Sequence, residues 1–156
     1  MLLEHSVRYD APLADVYAML TDPEFREKAA WAQGSISVDA QVDAPSVTID
    51  MVQRLTDIPS FAKPIVGERT RAVQEETWHD GEWADFSVSS PPLPIGIKGT
   101  RRLVVDDDGT LDTFEGEAKA RLPLIGKKLE KLLSDRLKDA WNTEHGVGAA
   151  WLAGER

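Results

Sequence analysis

Residues 124–152 read LIGKKLEKLLSDRLKDAWNTEHGVGAAWL. At about 100° per residue, with Leu129 set at zero, Ile125, Leu132, Leu133, Leu137, Ala140, Val147 and Trp151 fall within about 80° of one line. The spacing predicts a long helix over Leu124 to Leu152 with a single apolar stripe. Its opposite face carries Lys127, Lys128, Glu130, Lys131, Ser134, Asp135, Lys138, Asp139, Asn142 and Thr143 and is solvated, with Lys131 and Asp135 one turn apart. Such a helix needs a surface on which to bury its stripe, and the strand periodicity upstream makes that surface a sheet.

Two residues interrupt the stripe. Arg136 projects at about −20° and Glu144 at about +60° on the same wheel, inside the face that looks at the sheet. Buried charge is costly unless it is paired. Three accounts are open: rim positions with the heads in water, pairing with sheet residues, or polar anchors of a ligand site. The two lie about 12 Å apart along the axis, so they do not bridge each other.

Upstream, the period is two. In Leu111 to Leu122, Phe114, Gly116, Ala118, Ala120 and Leu122 alternate with Thr113, Glu115, Glu117, Lys119 and Arg121, one face small and apolar, the other charged. Pro123 stands where a proline opens a helix. Asp106-Asp107-Asp108-Gly109 is a hairpin turn joining that strand to Ile97–Val105. Trp83–Ser89 and Arg69–Trp78 form another pair around His79-Asp80-Gly81-Glu82, and Trp78 and Trp83 are candidates for a cross-strand stack. Ile36, Val38, Ala40 and Val42 pair with Val47, Ile49 and Met51 across Asp43-Ala44-Pro45. Residues 56–67 carry Pro59, Pro64 and Gly67 and break the pattern. This loop also holds Ile58, Phe61, Ile65 and Val66, so it either packs on a sheet edge or covers something. At the start, Leu3, His5, Val7 and Tyr9 alternate as a first strand. Asp10 and Pro12, then Asp22 and Pro23, open two short amphipathic helices.

The order is one strand, two short helices, six antiparallel strands and one long helix. A single sheet with one wet face covers its dry face with the last helix, which makes the fold class α+β.

The chain has 156 residues, enough for one domain with a sizeable core, and its 42% apolar and 29% charged content describes a globular protein. No apolar run is long enough to span a bilayer. Met1-Leu2-Leu3-Glu4-His5 lacks the basic and apolar regions of a signal peptide, which predicts a cytoplasmic location. The absence of Cys excludes disulfides, thiolate catalysis and zinc–cysteine sites. A net charge of −9 argues against nucleic acid or an anionic membrane as partner. Lys98, Arg101 and Arg102 are a short basic exception, read as a solvated strand edge.

The order resembles the helix-grip fold of the START and Bet v 1-like (SRPBCC) superfamily. Val7-x-Tyr9-x-Ala11-Pro12-x-x-x-Val16-Tyr17 and Leu20-Thr21-Asp22-Pro23-x-Phe25 resemble its usual opening. Gly109-Thr110-Leu111, the run from Leu122 to Glu130, Glu144 and Trp151-Leu152 resemble DUF2505, an actinobacterial family within it. The resemblance implies a curved seven-stranded antiparallel sheet wrapped around the C-terminal helix, with a cavity between them. Superfamily members use such cavities for lipids, sterols or polyketides, some as carriers and some as cyclases, aromatases or dehydratases, and fold does not choose between these.

The residues expected to line the space under the helix are Met51, Phe86, Phe114, Gly116, Ala118, Leu133 and Ala140, the small ones leaving volume unfilled. Arg136, Glu144 and the inward-facing His5 are the candidate polar contacts. His5 is either a hydrogen-bonded core residue or a general base. Glu75-Glu76 does not make a catalytic dyad, because adjacent strand residues face opposite ways. No metal-ligand spacing, nucleophile triad or phosphate loop is present, so no metal or cofactor is expected. Three functions remain: a binding protein for an apolar or amphipathic small molecule, a cofactor-independent polyketide cyclase or dehydratase using His5 or Glu144, and a ligand-free interaction module. A continuous cavity above about 300 Å³ favours a ligand.

Overall fold

A computed structural model describes residues 1–156. Strand β1 (Leu2–Tyr9) is followed by helices α1 (Leu13–Leu20) and α2 (Pro23–Ala32), then β2 (Ser35–Asp43) and β3 (Ser46–Arg54). One helical turn, α3 (Lys63–Val66), precedes β4 (Arg69–His79), β5 (Trp83–Ser89), β6 (Ile95–Asp106), β7 (Gly109–Ala120) and the long helix α4 (Gly126–Leu152). The seven strands form one antiparallel sheet in the order β1-β7-β6-β5-β4-β3-β2. Hairpins carry the chain from β2 to β7, and β1 closes beside β7. This is the α+β class that the alternation predicts and the helix-grip architecture that the resemblance implies.

Local chemistry explains the element ends. Asp22 caps α2 by accepting from the Glu24 backbone N–H at 2.9 Å, with Pro23 in the first turn. The first helix starts behind Pro12 with no side-chain cap, so Asp10 does not serve as one. Leu124 adopts φ 70°, a left-handed turn that separates Pro123 from the helix, and α4 therefore begins at Gly126 instead of at the proline. A bulge between Ser35 and Ser37 turns Ser35 inward and leaves Ile36 37% exposed, one step out of the expected alternation. Trp78 and Trp83 lie on opposite faces: Trp78 meets Tyr17 edge-on at 5.4 Å in the core, and Trp83 stacks on His79 at 4.1 Å outside. They are not the cross-strand pair expected, because His79 is the direct partner of Trp83 in the register.

The long helix lies over β1 and β7 and against α2, not over the middle of the sheet. Its buried residues Leu129, Ser134, Leu137, Trp141, Glu144, Gly148 and Trp151 centre about 80° around the wheel from Leu129, and Ser134, expected on the solvated face, is thereby turned into the protein at 5% exposure. The helix is thus rolled by about a quarter turn from the orientation that its most apolar stripe predicts. Trp141 sets this roll: it stacks on Phe114 of β7 with ring centroids 3.9 Å apart and planes 13° from parallel. An aromatic ring of this size contributes more on burial than a leucine does. The stripe residues Leu132, Leu133 and Ala140, and Arg136 between them, consequently look toward the other half of the sheet. No helix is long and apolar enough to cross a membrane.

Candidate ligand cavity and a buried charge network

Because α4 leans toward β1 and β7, a gap remains over β3, β4 and β5. It is a cavity of about 240 Å³, and 14 of its 23 wall residues are hydrophobic, which suits an apolar occupant. Met51, Ala72, Gln74 and Val88 form its sheet wall, and Leu129, Leu132, Leu133, Arg136, Ala140 and Trp141 its helix wall. Leu55, Ile58 and Val66, from the irregular segment around α3, close one side. Exposed Arg54 and Asp139 mark the mouth.

The segment 56–67 does both things its composition allowed. Phe61, Ile65 and Val66 pack in a small cluster with Ile95, Ala120 and Leu129, and Ile58 and Val66 also face the cavity. Arg136 fastens it to the helix: one guanidinium nitrogen donates to the Thr56 carbonyl at 2.7 Å and to the Asp57 carbonyl at 3.1 Å.

The inward phases of three strands also carry charge. Glu76 on β4, Arg101 on β6 and Asp112 on β7 meet Arg26 of α2 and Glu144 of α4, and these five residues are at most 3% exposed. Arg26 makes a two-pronged pair with Glu76 at 2.9 Å for each contact. Arg101 donates to Asp112 at 2.9 and 2.6 Å, to Glu76 at 3.0 Å and to Glu144 at 2.6 Å. Gln74 and Trp78 add N–H donors to Glu76 at 2.7 and 3.1 Å. Burial by itself would raise the Glu76 carboxyl, but Arg26 and Arg101 outweigh it and hold the group down at about 2. Asp112 goes the other way, raised above its ordinary value because burial exceeds the help it receives from Arg101. Tyr9, beside the network, is also raised, first by burial and then by the carboxylates of Glu144 and Asp112. Its hydroxyl and Arg26 Nε are the buried side-chain polar atoms left without a partner. The network is almost closed to water and each carboxylate is paired with an arginine, so it locks elements together and does not present a reactive group to the cavity.

The DUF2505 sequence profile, described as a protein of unknown function, matches residues 4–152. The chain belongs to the DUF2505 family. None of the curated proteins matches this DUF2505 member in sequence. Among solved structures it is similar to TTHA0849 from Thermus thermophilus, with 18% identity, a TM-score of 0.71 and full coverage (100%) of both chains. It is similar to the Zhui aromatase/cyclase from Streptomyces sp. R1128, with 11% identity, a TM-score of 0.64, and coverage of 96% of this chain and 92% of that one. It is similar also to Ara h 8.0201, with 11% identity, a TM-score of 0.65, and coverage of 96% and 98%. At these identities the likeness establishes the shared START/Bet v 1-like fold.

The predicted site residues divide into two groups in this DUF2505 member. Met51, Leu133, Arg136 and Ala140 are brought together on the cavity wall. His5, Phe86, Phe114, Gly116, Ala118 and Glu144 are not on that wall. Phe114 is covered by Trp141, and Phe86 meets both rings edge-on at 5.9 and 5.8 Å. Gly116 leaves no spare volume, because a Cβ there would lie 2.9 Å from the Lys98 carbonyl oxygen. Ala118 is fully buried. Half-buried His5 donates through Nε2 to Asn142 Oδ1 at 2.8 Å and stacks on Trp141. Glu144 is paired with sheet Arg101, the second of the three accounts open for it.

Sequence reasoning missed Arg26, Glu76, Arg101 and Asp112. Arg101, expected at a solvated strand edge, is fully buried. The signal was present in the period of two: Arg101 shares the phase of Ile97 and Leu103, Glu76 that of Ala72 and Trp78, and Asp112 that of Phe114 and Ala118. A charge in an inward phase on three strands of one sheet indicates mutual pairing. Gln33, Gln53 and Gln74 were also missed as the polar part of the cavity wall.

Proposed function

We propose that this domain binds an apolar or amphipathic small molecule in the cavity between β3–β5 and α4, and that it does so in the cytoplasm as a carrier. The observation that carries this reading is the mostly apolar, partly open space left by the sideways lean of α4. At about 240 Å³ it is smaller than the roughly 300 Å³ at which pockets for drug-sized ligands begin. The occupant is therefore compact, or is the ring or chain end of a longer lipid-, sterol- or polyketide-like molecule whose remainder leaves between Arg54 and Asp139. One structure of the same fold is an aromatase/cyclase, but fold does not transfer activity. Acid–base catalysis has little support here, since His5 and Glu144 are engaged elsewhere and off the wall. The cavity falls short of the volume that separates a ligand site from an interaction module, so the carrier reading rests on its apolar lining and its opening.

The test is native mass spectrometry of the purified chain beside its denatured mass, with extraction of whatever is lost, repeated on Ala140→Phe. A co-purifying apolar molecule in the parent that is missing from the filled variant supports the carrier. A clean mass together with no thermal shift across a panel of compact apolar ligands moves the weight to a protein-interaction role.

A further inference from the structure

The glutamines on the cavity wall share one polarity. Gln74 Nε2 donates to the Glu76 carboxylate at 2.7 Å, and Gln33 Nε2 donates to the Ala140 carbonyl at 3.0 Å. Carboxylate and carbonyl oxygens only accept, so chemistry fixes which end of each amide faces inward to the protein. Gln53 Nε2 is likewise turned to a protein acceptor, the Met51 sulfur, at 3.6 Å. None of the three Oε1 atoms receives a hydrogen bond, and none is among the enclosed atoms without a partner, which are Tyr9 OH and Arg26 Nε. Each oxygen therefore keeps open surface. For Gln74, a wall residue only 7% exposed, that surface is the cavity. Its amide is also held rigid, because Glu76 is itself clamped by two arginines.

We propose that the cavity selects a hydroxyl-bearing apolar molecule, a neutral phenol or alcohol whose O–H donates to Gln74 Oε1, with Gln33 Oε1 as a second acceptor nearer the edge. This rests on the carrier reading of the same cavity and names its ligand class. An ether or hydrocarbon of the same shape leaves the Gln74 oxygen desolvated and unpaired, and a carboxylate places negative charge against an acceptor.

The experiment is calorimetric titration of the full chain with three probes of one size: 2-naphthol, 2-methoxynaphthalene and 2-naphthoate. The expected result is that 2-naphthol binds about tenfold tighter than the methyl ether and tighter than the carboxylate, and that Gln74→Met brings the naphthol-to-ether ratio to about one. Should that variant fail to fold through loss of a donor to Glu76, the ratio measured on the parent chain decides. Equal binding of naphthol and ether, or preferred binding of naphthoate, overturns the hydroxyl inference and leaves the carrier reading standing. Failure of all three to bind overturns the hydroxyl inference, and together with a clean native mass it overturns the carrier reading as well.

Discussion

Arg101 on β6 donates to Glu144 on α4 across 2.6 Å, with the Arg101 side chain fully buried and that of Glu144 5% exposed. The same guanidinium holds Asp112 of β7 and Glu76 of β4, so one side chain fastens the helix to three strands. It also packs 4.5 Å over the Phe114 ring, under the Phe114–Trp141 stack. Two guanidinium groups thereby face three carboxylates in a closed interior, and removal of either cation strands negative charge there.

Arg101→Met is expected to lower unfolding free energy by about 3–5 kcal/mol, the range for a buried charge that loses its partner. Glu144→Gln keeps an oxygen that accepts from Arg101, and it should cost markedly less. Urea unfolding of the two variants beside the parent checks this. A loss below about 1 kcal/mol for Arg101→Met would show that the pairs contribute no more than a surface bridge.

Acid unfolding should trace Glu76. Its folded value near 2 lies below its ordinary 4.5, so its contribution is present above pH 4.5 and is lost as pH falls toward 2. Asp112 opposes this, because a raised carboxyl favours protonation of the folded state and relieves a penalty on acidification. Stability of the parent should still decline across that window, and Glu76→Gln should show a flatter profile. Urea midpoints at a series of pH values give the slope; identical slopes would remove Glu76 as its source.

Two glycines of α4 should respond oppositely to alanine. At Gly148 a Cβ would lie 2.8 Å from Tyr9 Cε1 and 3.0 Å from Met19 Cε, whereas at Gly146 it would meet nothing within 4 Å. Gly146→Ala should stabilise by about 0.5–1 kcal/mol through helix propensity. Gly148→Ala should be destabilising by about 1–3 kcal/mol, as overpacking exceeds that gain. Thermal melts separate the two, and a stabilised Gly148→Ala would mean that Tyr9 yields freely.

Arg136→Ala should release the segment it holds. The lost hydrogen bonds to the Thr56 and Asp57 carbonyls cost about 1 kcal/mol in stability. Their main effect should be faster amide exchange confined to residues 55–67, leaving the central strands protected. Hydrogen-exchange mass spectrometry reads this, and unchanged exchange in that segment would place its anchoring in the Phe61 and Ile65 packing alone.

The element order, the antiparallel hairpins and the α+β class are legible in residues 1–156 because hydrophobic periods of two and 3.6 are local properties of the chain. The phase of each strand is legible too: Leu3, Phe114, Ala118 and Leu103 face inward as their alternation requires. Even the buried charges stand in those phases, and their meaning was lost by reading Glu76 and Arg101 as members of charged runs and not as members of a face.

The roll of α4 is not a local property. Its apolar stripe points one way, but the helix settles with Trp141 on Phe114 and Glu144 on Arg101, because aromatic stacking and ion pairing across the core outweigh the burial of several leucines. That quarter turn leaves Leu133, Arg136 and Ala140 facing a cavity, and leaves Phe114 and Glu144 in the packed interior. Periodicity determines which residues leave water; which of them meet each other, and where space remains unfilled, depends on contacts between segments as much as 137 residues apart, from His5 to Asn142.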